Sequence, residues 1–192
     1  MEGSRLTARE IACRRGDRLL FSCISLAPKP GDALHLCGPN GIGKTSLIRI
    51  LAGLMRPFEG SVEHLGGIAL LDERPALDEH LPLGRALAFW SRIDSARGDA
   101  AERLGLSDLL DVPVRYLSTG QRKRAALARL LSQGAETWLL DEPLNGLDKD
   151  GVALVETLVA EHRAAGGIAI VASHQPIALP GAQMLDLREH AP

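Results

Sequence analysis

The chain has 192 residues, 45% of them hydrophobic and 24% charged, which suits one compact domain with its own core and argues against disorder. The formal net charge is -2 with acidic and basic residues interspersed, so no basic face is offered to nucleic acid. No apolar run approaches the roughly 20 residues of a spanning helix, and the start, MEGSRLTAREIACRR, lacks the apolar core of a secretion signal; the chain is expected to stay in the cytoplasm and to reach a membrane only by docking on other chains.

Two β-like stretches, Leu6 to Cys13 and Arg18 to Leu26, lead to the turn signal Pro28-Lys29-Pro30-Gly31. A strand is predicted over Ala33 to Cys37, then a Gly-rich turn and a helical pattern from Lys44 to Leu54, closed by Arg56-Pro57. Another β-like pair surrounds Gly66-Gly67. From about Pro82 to Leu110 the pattern turns helical, with Leu83, Leu87 and Trp90 on one side, and reads as a small helical insertion. A second helix begins at Ser118 and runs to Leu131, followed by a buried strand, Thr137 to Asp141, a helix from Asp148 to Ala165 and a second buried strand, Ile168 to Ser173. Short apolar runs alternating with helices predict an α/β fold: a mostly parallel sheet with helices on both faces, preceded by an antiparallel β part. No internal repeat appears, so residues 1–192 are expected to form a single domain with a helical part over about 78–133. Cys13, Cys23 and Cys37 form no CxxC and are odd in number, which favours reduced core thiols over a disulfide frame or a zinc site.

Gly38-Pro39-Asn40-Gly41-Ile42-Gly43-Lys44-Thr45 matches GxxxxGK[ST] and lies between a predicted strand and a predicted helix, with Ser46 next in that helix. Glycines let the backbone fold into a nest of N–H groups that face phosphates, and the helix points its positive end at them. Lys44 adds a mobile cation for the β- and γ-phosphates, while the Thr45 hydroxyl is placed to ligate Mg²⁺. ATP and Mg²⁺ are the ligands this implies. Downstream, Thr137-Trp138-Leu139-Leu140-Asp141-Glu142-Pro143 delivers two carboxylates as a buried strand emerges at the sheet edge where such folds bind ligands. Asp141 is expected to hold Mg²⁺, through water, and Glu142 to orient and deprotonate the attacking water. Alone, the pair would read as a solvated turn; a phosphate loop upstream changes that reading.

Leu117-Ser118-Thr119-Gly120-Gln121 opens a helix about 20 residues before the acidic strand end, and this order and spacing resemble the ABC ATPases, whose signature is usually LSGGQ. A helix N-terminus exposing Ser118 and the Gly120 amide is a second anion site, yet one chain needs one phosphate cradle. The resemblance implies that Ser118, Gly120 and Gln121 cover the γ-phosphate held by a second copy, so that a homodimer sandwiches two ATP molecules. Asn145-Gly146-Leu147-Asp148 resembles the family's D-loop, with Asp148 at the dimer seam; an N-cap role for Asp148 is equally good physics, and both can hold. Ser173-His174-Gln175 resembles the switch histidine, which contacts the γ-phosphate and orders the attacking water.

Two features depart from the family. Where an aromatic residue usually stacks on adenine, this chain has Cys13-Arg14-Arg15-Gly16-Asp17; Arg15, or Arg14, offers a guanidinium plane instead. Where a glutamine usually senses the γ-phosphate and Mg²⁺, it has Leu71-Asp72-Glu73-Arg74-Pro75, leaving Glu73 or Arg74 as substitutes. LTAREIACRRGDRLLFSCISL, LSTGQRKRAALARLL and the Leu81 to Trp90 stretch are similar to the CcmA family, the ATP-binding subunits of the haem exporter of cytochrome c biogenesis, a group with LSAGQ-like signatures and degenerate Q-loops. That resemblance implies a CcmB-like membrane permease, further haem-handling membrane subunits, a peripheral place on the cytoplasmic face of the bacterial inner membrane, and ATP hydrolysis that releases haem-loaded chaperone. The rival readings are the ATPase of another ABC transporter and, given the missing glutamine, a nucleotide-dependent clamp with little hydrolysis. An ABC ATPase of DNA repair or translation would want long coiled-coil insertions or a duplicated domain, and a small-molecule P-loop kinase gives the signature no role.

Overall fold

A computed structural model describes residues 5–94 and 100–192. The chain forms β1 (Arg5–Arg15), β2 (Arg18–Leu26), β3 (Ala33–Cys37), α1 (Lys44–Leu51), β4 (Glu59–Leu65), β5 (Ile68–Leu71), α2 (Leu83–Ile93), α3 (Ala100–Arg103), α4 (Thr119–Ser132), β6 (Thr137–Asp141), α5 (Lys149–Ala164), β7 (Ile168–Ala172) and β8 (Gln183–Asp186), with 3-10 turns at Ser107–Leu109, Val114–Tyr116 and Leu187–His190. β2, β1 and β4 make an antiparallel sheet in that order, and β5, β6, β7, β3 and β8 make a second, wholly parallel one.

Every residue of β6 and β7 is buried, as expected of central parallel strands covered on both faces. Their side chains alternate between two cores. Trp138, Leu140, Ala169 and Val171 pack with Leu127 and Leu130 of α4 and Val155 and Leu158 of α5. Leu139, Ile168, Ile170 and Ala172 point the other way, onto Leu47, Ile48 and Leu51 of α1 and Leu6, Ile11, Phe21 and Ile24 of the antiparallel sheet. α2 buries Leu83 and Ala86 and leans Leu87 and Trp90 on the first core, where the Arg129 guanidinium lies 3.9 Å from the Trp90 ring centroid. Among the described residues no helix is long and apolar enough to cross a membrane.

Several expectations shift. α1 stops at Leu51 rather than Leu54, because the chain turns at Gly53 (φ 72) and leaves Leu54 exposed. The two strands around Gly66-Gly67 do not pair with each other: exposed β4 joins the antiparallel sheet and half-buried β5 the parallel one. β8 has no counterpart in the sequence reading, since an edge strand of sequence QMLD carries no apolar run. Residues 95–99 of the helical pattern expected over Pro82 to Leu110 lie outside the described residues. All three cysteines are free, but Cys23 is exposed rather than in the core, at φ 56, beside register shifts in the β1–β2 pairing.

One contact fixes α5 against the sheet. The His162 ring stacks on Trp138 at 3.9 Å between centroids, and its Nε2 lies 3.2 Å from the Ile168 carbonyl. Gly167 lets the chain pass under that ring, because a Cβ there would sit 2.2 Å from His162 Cε1. Gly167→Ala is therefore expected to cost about 2 kcal/mol, near 6 °C in Tm for a chain of this length, read by thermal melting. Burial holds the His162 pKa below its ordinary value. The unfolded chain takes up that proton near pH 6.5 while the folded one resists it, so the contribution is full above about pH 6.5 and is lost as pH falls below it. His162→Phe keeps the stack without the titration, and its Tm should fall less than the wild type's between about pH 7.5 and 5.5.

Candidate functional site

β6, β7 and β3 are neighbours in parallel register, so the loops leaving their C-terminal ends emerge together. They enclose a cleft of about 450 Å³ lined by Arg15, Asn40, Gly43, Lys44, Thr45 and Ser46 from the phosphate-loop side and by Glu73, Glu142, Asn145 and His174 opposite. Gly43 precedes α1 at φ 122, a conformation that side chains rarely adopt, and a Cβ there would also meet the Phe21 ring at 2.9 Å. Gly38, at φ 131, and Gly41, at φ 78, turn the rest of the loop, with Pro39 and Ile42 between them and Ile42 N–H donating to the Pro39 carbonyl.

Lys44 is buried and its ammonium donates to the carbonyls of Gly38 (2.8 Å) and Pro39 (3.4 Å), with Glu142 Oε1 at 3.9 Å. The cation thus spans the loop and the acidic strand end. Asp141, the last residue of β6, is buried; the Thr45 hydroxyl bonds its carboxylate, while its Oδ1 has no hydrogen-bond partner. Burial raises the Asp141 pKa; the Thr45 bond opposes this, and the carboxylates of Glu142, Glu73 and Asp72 add to it. An orphaned buried carboxylate oxygen beside a hydroxyl fits a hard divalent cation that completes its shell with water and phosphate oxygens. No group of three or more His, Cys, Asp or Glu side chains converges as a metal cage among the described residues.

Glu142 adopts φ 48, the left-handed region, at a cost of about 1–2 kcal/mol for a residue with a side chain. Its N–H donates to the Ala172 carbonyl at 2.8 Å, and its Oε2 accepts from His174 Nδ1 at 2.8 Å. Pro143 follows and ends the strand. A carboxylate aimed into the cleft and held by an imidazole is the arrangement that positions and deprotonates a water. Gln175 donates to Asn145 Oδ1 at 3.1 Å, tying the loop after β7 to the loop after β6.

The sequence left two choices open that the geometry narrows. Arg15 lines the cleft, whereas Arg14 turns away to the Gly16 carbonyl and Asp17. Glu73 also lines it and Arg74 does not. Ser118, Gly120, Gln121 and Asp148 stand apart from this cleft. Ser118 caps α4 in a capping box, accepting from Gln121 N–H at 3.2 Å while Gln121 Oε1 accepts from Ser118 N–H at 2.8 Å, so the glutamine side chain is committed locally. Asp148 caps α5, accepting from Gly151 N–H at 2.8 Å, and its carboxylate is otherwise open to solvent with Arg124 at 3.9 Å. Lys123 was missed in sequence: it is a buried lysine on α4 whose ammonium donates to the Glu142 carbonyl at 3.2 Å. Its signal was present, since it shares the helical spacing of Ala126, Leu127 and Leu130 on the buried side of α4.

The ABC transporter family profile matches residues 21–145. The chain is 60% identical, over the full length of both, to the cytochrome c biogenesis ATP-binding export protein CcmA of Novosphingobium aromaticivorans. It is 53% identical to the protein so named from Sphingopyxis alaskensis, covering 88% of this chain and 90% of that one. A putative ABC transporter ATP-binding protein from Pyrococcus furiosus has the same fold, with a TM-score of 0.83 over 98% of this chain and 100% of that one at 23% identity. The chain belongs to the ABC transporter ATP-binding family and, within it, to the CcmA family.

Proposed function

We propose that the chain binds and hydrolyses ATP as the nucleotide-binding subunit of an export complex serving cytochrome c biogenesis, the role that the names of its relatives describe for them. The observation that carries this reading is the convergence of Lys44, Thr45, Glu142 and His174 on one cleft, with buried Asp141 bonded to Thr45. The loop amides of residues 38–45 and the N-terminus of α1 receive the β- and γ-phosphates, and Lys44 turns from the loop carbonyls to their oxygens. Thr45 and Asp141 would hold Mg²⁺, which when bound would neutralise charge on those oxygens. Glu142 takes the proton of a water whose oxygen attacks the γ-phosphorus as the bond to the ADP oxygen breaks; His174 orients Glu142 and reaches the transferring phosphoryl group. Arg15 stacks on the base.

Ser118, Gly120, Gln121 and Asp148 act on a second copy: the capped N-terminus of α4 offers phosphate-binding amides that its own cleft does not use. Two copies therefore close over two ATP molecules, each a single domain whose helical part spans about 78–133. By family resemblance the dimer sits on a CcmB-like permease and other haem-handling subunits at the cytoplasmic face of the inner membrane, where it powers haem export or release of haem-loaded chaperone. Glu73 in the glutamine's place favours a second reading, a nucleotide-dependent clamp with little turnover.

Glu142→Gln should lower phosphate release by about 10²–10⁴-fold while retaining ATP and trapping a dimer, measured by turnover and by size in solution; unchanged turnover removes Glu142 from the chemistry, and negligible wild-type turnover within the membrane complex selects the clamp. Ser118→Glu should leave ATP binding by the single chain intact and abolish the ATP-dependent dimer, and loss of ATP binding instead would place Ser118 in its own chain's cleft. Affinity purification from membranes should recover cytochrome c maturation subunits, whereas an unrelated permease would assign the chain to another transporter.

A further inference from the structure

The Glu142 peptide is held from three directions. Its N–H donates to Ala172, its carboxylate is tied to His174, and its carbonyl accepts both from the Lys123 ammonium at 3.2 Å and from the Asn145 N–H at 3.3 Å. The others belong to the sheet and its loops, but the Lys123 bond comes from α4, the helix that Ser118 caps. Lys123 is 9% exposed and lies between two clefts: it lines one of about 520 Å³ with Asp72, Glu73, Arg74 and Asn145, and reaches through to the other at Glu142. A lysine is seldom buried so far without a partner. Burial depresses the ammonium's pKa, while the carboxylates of Glu73, Asp141, Asp72 and Glu142 act against that and favour the charged form. A side chain that served only to fill space there would be apolar. A charge that served only to balance the acids would not need to end on the carbonyl of the one residue in the cleft whose backbone is left-handed without being glycine.

We propose that Lys123 is a positioning residue for the hydrolytic step: by holding the Glu142 carbonyl it fixes the left-handed peptide and hence the direction of the Glu142 carboxylate. The ammonium acts through Glu142, whose carbonyl it bonds. Because it rides on the second turn of α4, it links the helix that would meet the partner copy's phosphates to the carboxylate of its own cleft. Without the bond the Glu142 carbonyl keeps only the longer Asn145 N–H at 3.3 Å, and the carboxylate can turn off its line to the attacked phosphorus. Misplacement of that kind slows chemistry without weakening binding. The inference rests on the hydrolytic reading of the site.

The test compares the wild type, Lys123→Met, Lys123→Arg and Glu142→Gln within the membrane complex, reading phosphate release, the Kd of trinitrophenyl-ATP with Mg²⁺, and Tm. Lys123→Met should lower kcat by about a hundredfold while leaving KM and the nucleotide Kd within about twofold. Lys123→Arg, which keeps charge and donor, should recover most of the lost turnover. Unchanged kcat in Lys123→Met, a matching loss of nucleotide binding, or failure of both variants to fold would each overturn the proposal and leave Lys123 a core residue. Full turnover in Glu142→Gln would instead sink the hydrolytic reading beneath it; collapse in Glu142→Gln with an active Lys123→Met sinks the inference alone.

Discussion

Three strands taken from distant parts of the chain, β6, β7 and β3, run side by side in parallel register, and the cleft exists because their C-terminal ends coincide. That adjacency costs loop-closure entropy, which the burial of TWLLD and IAIVA on both faces must offset. It then delivers a cation, two carboxylates and an imidazole to one edge without further cost. Glu142 meets both of its neighbours there, Lys44 at 3.9 Å and His174 at 2.8 Å.

Electrostatically, the acidic side of the cleft carries more charge than the motifs imply. Asp141 and Glu142 are joined by Glu73 and Asp72, and burial raises the Asp141 pKa further. A neutral glutamine at position 73 would have lessened that crowding. The chain meets it with Lys44 from the loop and Lys123 from α4, so the crowded carboxylates and the buried lysine belong to one arrangement of charge.

The phosphate loop, the acidic strand end and both helix caps were legible in sequence because each couples a local backbone requirement to a residue type: glycine for the loop turns, Ser118 and Asp148 for capping, four consecutive apolar or strand-forming residues before Asp141 for a doubly covered strand. β3 and β6 match their expected bounds for the same reason. What sequence did not disclose depends on packing across distance. β8 is polar and half-exposed and forms only because β3 offers an edge. The assignment of β4 and β5 to different sheets turns on which partner each meets, information absent from their own residues. The choice of Arg15 over Arg14 and of Glu73 over Arg74 follows from which side of a strand or loop faces the cleft. Lys123 lies in the run Arg122-Lys123-Arg124, and its place on the buried side of α4 sets it apart from its neighbours.

Phe21 offers a final lesson in tolerance. It is fully buried in the antiparallel sheet, does not line the cleft, and yet its ring sits where a Cβ on Gly43 would have to go. The antiparallel sheet is thus a mould for the phosphate loop as well as a lid on the core. Changes of volume at position 21 will be felt as changes of loop shape, so drift in an apparently ordinary core residue is constrained by the backbone one layer away.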